Sequence, residues 1–144
     1  MNDNRTLRVT VLALIAIHFA IVVMHSAAHQ ILPVKATPAQ LAFIVPVIIV
    51  APIVAGFILL KFHKAGTVLF TLSMFGSLVF GVYYHFIADT IDHVAHVAHL
   101  EPAFWSQMFR LTSYLLGVTE LLGSALGVIL LLAQRQSVRN YAAQ

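Results

Sequence analysis

A membrane-embedded, all-α bundle of four transmembrane helices is the fold this sequence predicts, and three observations predict it. Of 144 residues, 60% are hydrophobic and only 9% charged, whereas soluble domains carry about 25% charged residues. Four apolar runs divide the chain, each long enough as helix to cross a hydrocarbon core of about 30 Å. Cations gather at one set of run ends: Arg5, Arg8, Lys61, Lys64, Arg135 and Arg139 stand there, against Lys35 and Arg110 near the other. By the positive-inside rule this orients the bundle N-in and C-in, in a cytoplasmic (inner) membrane.

The first span covers roughly residues 7–32. Arg5 and Arg8 before it, with Ser26-Ala27-Ala28 near its end, would also suit a secretory signal; the run is read here as retained. Pro33 and Pro38 break the chain twice before the second span, about 41–60, which Pro46 and Pro52 should kink. That span has no ionisable side chain and reads as scaffold. Lys61 to Gly66 is a short basic turn leading to the third span, about 67–87, where Gly76 and Gly81 allow a neighbouring helix or a flat ligand to come close. Glu101-Pro102 then marks a helix start. The fourth span runs over about 103–133, with Trp105 at its boundary and Arg110, Tyr114, Glu120 and Ser124 inside it. The whole chain is one membrane domain.

The stretch from 85 to 101 stands out. It continues an apolar span directly into His85, Asp89, Asp92, His93, His96 and His99, half of the chain's eight histidines. If the helix continues through it, His85, Asp89 and His93 fall at i, i+4 and i+8, with Asp92 and His96 one step round. A break at Asp89 or Thr90 would instead fold residues 92–99 back over the bundle end. On the first span His18, His25 and His29 lie within about 40° of one another at 100° per residue, forming one stripe.

Heights along the membrane normal bring these groups together. At 1.5 Å per residue, His25 and His85 both fall about 27 Å from the cytoplasmic ends, and Tyr114 about 28 Å. His29, Asp89 and Arg110 form the next layer at about 33 to 35 Å, and His18 and Glu120 lie near the midplane at about 16 to 20 Å. An ionised carboxylate at mid-membrane costs about 2.5 kcal/mol or more, so Glu120 needs a proton, a partner or a cation, and His18 is nearest by height.

Absence of cysteine excludes disulfides, thiolate metal sites and iron–sulfur clusters, and any metal must be held by nitrogen and oxygen. The small positive charge reports topology and gives no reason to expect nucleic acid. The leading expectation is a membrane metalloprotein whose ligands are His25, His29, His85, Asp89, His93 and His96, on the extracytoplasmic face. Zinc, copper, iron or manganese suits such donors, as one ion or two. Asp92 and Glu120 are the candidate catalytic proton acceptors, Tyr114 and Arg110 the outer support, with Arg110 paired to Asp89 or Asp92. The chemistry expected is redox or hydrolytic, as in a metal-dependent oxidoreductase, on a small or lipophilic substrate.

Two alternatives stay open. One is a b-type cytochrome with His25 and His85 as axial ligands of haem b; the other is a metal-ion or proton transporter using His18 and Glu120. The paired HxxHH boxes of membrane di-iron hydroxylases are absent, so no family is assigned. Partners expected are the lipid bilayer and a small-molecule or metal-ion ligand, with homo-oligomerisation or a place in a larger membrane complex both open.

Overall fold

The computed structural model describes residues 3–142, with side chains over 6–136. Among the described residues there is helix and no strand. Helix α1 spans Asp3–Ile31, α2 Pro38–Phe43, α3 Ala51–Lys61, α4 His63–Val82, α5 Val94–Val97 and α6 Ala103–Ala142. Seven residues of wider π-helix, Ile44–Val50, join α2 to α3, and five more, Tyr83–Ile87, extend α4. Four continuous helical stretches are thus long and apolar enough to cross a membrane: Thr6–Ile31, Pro38–Lys61, His63–Ile87 and Ala103–Gln136.

The two prolines of the second span explain its wide turn. Pro46 and Pro52 have no N–H to give to the preceding turn, and the backbone responds by shifting register, so that the Ala51 N–H reaches back five residues to the Pro46 carbonyl. Pro52 also leaves the Ile48 carbonyl without its usual donor four residues on. His18 Nε2 of α1 lies 3.3 Å from that oxygen and supplies the proton.

Neighbouring spans pack in a ring, α1 on α3, α3 on α4, α4 on α6 and α6 back on α1. At one end of the bundle, which also holds the Phe62 turn, a core of Val11, Ile15, Ala55, Leu59, Phe70, Met74 and Leu130 draws on all four spans. Gly123 and Gly127 lie four apart on α6 and let α4 approach closely there: a Cβ at Gly123 would fall 2.6 Å from the Met74 Cε, and one at Gly127 would run into Thr71 Oγ1. Val22, Ile48 and Leu116 fill the middle. At the other end Ala28, Leu32, Val34, Val97 and Phe109 form a cap.

The outside is apolar. Phe57 is 70% exposed and Leu72 63%, with Ile17, Phe75, Leu121 and Ile129 among the other outward residues. Such a surface is consistent with contact with a lipid bilayer.

Candidate metal centre

Three histidines from two spans meet below the cap. One ring nitrogen each of His25, His29 and His85 lies within 4.8 Å of the others. Helical spacing brings the first two together, since His25 and His29 are one turn apart on α1. His85 comes from the π-helical end of the third span, where the Ala88 N–H bonds back five residues to the Tyr83 carbonyl at 2.7 Å and the chain then turns extended. The His25 ring packs edge to face on both of the others, His29 at 4.8 Å and His85 at 5.0 Å between centroids. Phe109, fully buried on α6, forms one wall, 4.6 Å from His25, 4.9 Å from His29 and 5.3 Å from His85.

Each ring is oriented through its Nδ1. His29 Nδ1 donates to the Val34 carbonyl at 2.8 Å, and His85 Nδ1 donates to the Asp92 carbonyl at 3.1 Å. Because a carbonyl can only accept, both rings carry their proton on Nδ1 and keep a lone pair on Nε2. His25 Nδ1 lies 2.9 Å from Thr112 Oγ1. That hydroxyl gives its own proton to the Met108 carbonyl at 2.6 Å, so it accepts from His25, and the same tautomer results. His25 Nε2 is buried with no hydrogen-bond partner. An outer hydrogen bond to the non-ligating nitrogen of every histidine is the usual support of a metal site.

The chain supplies these outer acceptors by folding both connections inward. Lys35 Nζ closes the end of α1 on the His29 and Gln30 carbonyls, at 3.0 and 2.6 Å, which holds Val34 against His29. The segment after Ile87 doubles back and buries Asp92, and Val97 accepts from the Ser106 hydroxyl of α6. Asp92 Oδ2 accepts from Gln40 Nε2 at 3.1 Å, while its Oδ1 is enclosed and without a partner.

A cavity of about 310 Å³ opens beside the three rings. It is lined by His25, His29, His85 and Asp92 at one end and by Ser77, Gly81, Gly117 and Glu120 further in, with Val22, Ile48, Phe80 and Leu116 as apolar wall. Ser26, Gln30 and Leu41, also in its lining, are exposed, so the mouth lies between α1 and α2.

Of the six expected ligands, the structure unites His25, His29 and His85. The other three lie outside the cluster because the helix stops at Ile87 and the shared face expected from continuous spacing is lost. Asp89 pairs instead with His96 Nε2 at 3.3 Å, both exposed, and His96 Nδ1 donates to the Thr90 carbonyl. His93 caps α5, its Nδ1 accepting from the Ala95 N–H. Asp92 and Glu120, the expected proton acceptors, both line the cavity, and Glu120 is 2% exposed with Oε2 unpartnered. His18 is spent on Ile48 and forms no hydrogen bond to Glu120.

Arg110 pairs with neither Asp89 nor Asp92; among the described residues Asp89 meets the His96 ring instead. Tyr114 is half exposed and lies on Phe86 outside the cavity. Height alone had suggested it, but helical phase turns it outward. Thr112, two residues earlier, occupies the inward face, and with Val34, Gln40 and Phe109 it completes the surroundings that the sequence reading missed. Thr112 could have been found by phase: eight residues before Glu120 on α6, it lies about 80° from it around the helix, closer than Tyr114 at about 120°.

The rings of His25 and His85 are in mutual contact, which leaves no slot for a flat macrocycle between them, and haem finds no support. Comparison with protein-family models, curated proteins and solved structures yields no match, so the chemistry of the site must be read from its own geometry.

Proposed function

We propose that this protein is an integral membrane metalloprotein that holds one transition-metal ion on the Nε2 atoms of His25, His29 and His85. The observation that carries this reading is that all three rings are tethered through Nδ1, His29 and His85 to carbonyl oxygens and His25 to the Thr112 hydroxyl. Three Nδ1–H groups are each engaged by an acceptor, and the three nitrogens left over carry lone pairs. Ligand nitrogens around a tetrahedral ion at about 2.0–2.1 Å lie about 3.4 Å apart, and one ring nitrogen of each histidine already lies within 4.8 Å of the others, so binding would draw the rings together. Uncharged imidazole donors suit zinc, copper or iron.

Three protein ligands leave a coordination position open, the pattern of catalytic rather than structural centres. Here that position adjoins the cavity, where the Asp92 carboxylate supplies a proton acceptor held in place by Gln40. A bound ion would polarise or ionise a small molecule there, and the mouth between α1 and α2 admits a substrate from the bilayer. With the cation bias of its run ends, the site faces the extracytoplasmic side of the inner membrane. Transport through the bundle is the weaker reading, because the apolar core of Phe70, Met74 and Leu130 fills the opposite end.

Cobalt(II) titration of the detergent-purified protein tests the proposal. One equivalent should bind and give the visible bands of a four- or five-coordinate ion, and zinc should displace it. His29→Ala should abolish both. Binding that persists unchanged in His29→Ala, or no binding by the folded wild type, would overturn the assignment.

A further inference from the structure

Glu120 is not required by the three-histidine site. It lies eight residues from Thr112 on α6, about 12 Å along the helix axis, beside Gly81 at the inner end of the cavity, where a Cβ on that glycine would sit 3.6 Å from Glu120 Oε2. Its side chain makes no hydrogen bond, and Oε2 is enclosed. A buried carboxylate without a partner is costly, and the groups around it do nothing to relieve it. Ser77 spends its hydroxyl proton on the Ser73 carbonyl at 2.8 Å, and Ser113 spends its own on the Phe109 carbonyl at 2.8 Å. Both therefore present lone pairs to the cavity. With Glu120 ionised, every polar side chain at this end is an acceptor, and none is a cation.

We propose that the inner end of the cavity seats a small primary alkylammonium, its charged head on Glu120 and its chain along Val22, Ile48 and Leu116. Acceptors on every side match the three N–H donors of such a head. The apolar lining distinguishes this guest from a hydrated metal ion, which would need more oxygen ligands than one carboxylate and two hydroxyls. An anion or a carbonyl compound would meet only lone pairs. A volume of about 310 Å³ lies at the small end of ligand pockets, enough for a short chain. The seat stands on the cavity alone and does not depend on a metal at the histidines.

The test uses the full-length chain in lipid nanodiscs with a chelator present, titrated calorimetrically with hexylammonium, hexanol and hexanoate, with empty nanodiscs subtracted. Hexylammonium should bind saturably at one site, at least tenfold more tightly than hexanol, and hexanoate should not bind. Glu120→Gln should weaken hexylammonium at least tenfold. Gly117→Leu should abolish binding by filling the cavity; a Cβ at Gly117 meets nothing within 4 Å, so the variant should keep the wild-type circular dichroism. Equal affinity for hexanol, retention of hexylammonium in Glu120→Gln or in folded Gly117→Leu, or no saturable binding by the wild type would each overturn the proposal.

Discussion

The two ends of the bundle differ in what fills the space between their helices. At the end holding the Phe62 turn, serine and threonine hydroxyls bond back to their own helices, as Ser73 does to Phe70 and Thr71 to Thr67, one bond crosses from Gln134 to Thr67, and the rest of the space between helices is filled by apolar side chains or closed by glycine. At the other end the buried polar groups reach across elements, His25 to Thr112, His85 to Asp92 and Gln40 to Asp92. There the helices part around a cavity, and both π-helical segments lie against it through Ile44, Ile48, His85 and Phe86. Close packing yields rigidity where nothing has to bind. Cross-helix hydrogen bonds hold a polar site in one geometry while leaving room beside it.

Substitutions at the two ends should therefore be read out by different measurements. The largest effect is expected from His85→Ala, which removes one of three ligands: cobalt binding should fall by at least about a thousandfold, with helical circular dichroism retained. Thr112→Val keeps the shape of the side chain but removes the acceptor that orients His25, and should weaken cobalt binding about 10- to 100-fold. At the packed end, Gly127→Ala should leave metal affinity alone and destabilise the bundle by about 1–3 kcal/mol through overpacking against Thr71, measured by reversible unfolding in mixed micelles. Gly117→Ala, on the same helix but facing the cavity, should have the opposite sign, stabilising by about 0.5–1 kcal/mol through helix propensity. The smallest effect is expected at Tyr114→Phe, where both metal binding and stability should match the wild type. A large loss of metal there would mean that Tyr114 faces inward and that the helical phase assigned to α6 is wrong.

Chelation gives a comparison of its own. Removing a bound ion should lower the apparent melting temperature by mass action. In His85→Ala the same treatment should change nothing.

How much of this was legible before the fold was known differs by region. The four spans could be read because a membrane segment is declared locally, by length and apolarity, with no reference to the rest of the chain. His25 and His29 could be paired for a similar reason, since their spacing places them one turn apart on any α-helix. The height ruler brought His85 to the level of His25, because the rise per residue of a helix converts residue number into depth. It failed for Tyr114, since depth says nothing of direction around the helix. It failed again for His18, because the proline-freed carbonyl of Ile48 competed for the imidazole, and a backbone oxygen leaves no mark in a residue pattern. The extended face expected of His85, Asp89 and His93 depended on the helix continuing past Ile87.

By itself, then, the amino-acid order determined an apolar, cysteine-free, four-span helical chain with its histidines and carboxylates gathered toward one end. Those are consequences of composition and local periodicity. Only the tertiary structure decided which three histidines face one another, which nitrogen of each keeps its lone pair, and that Asp92 and Glu120 share a cavity with them. These matters depend on where the connections at 32–37 and 88–102 fold, because Val34 and Asp92 orient their histidines through main-chain oxygens. Every residue has that oxygen, so sequence cannot single it out; only the path of the backbone does.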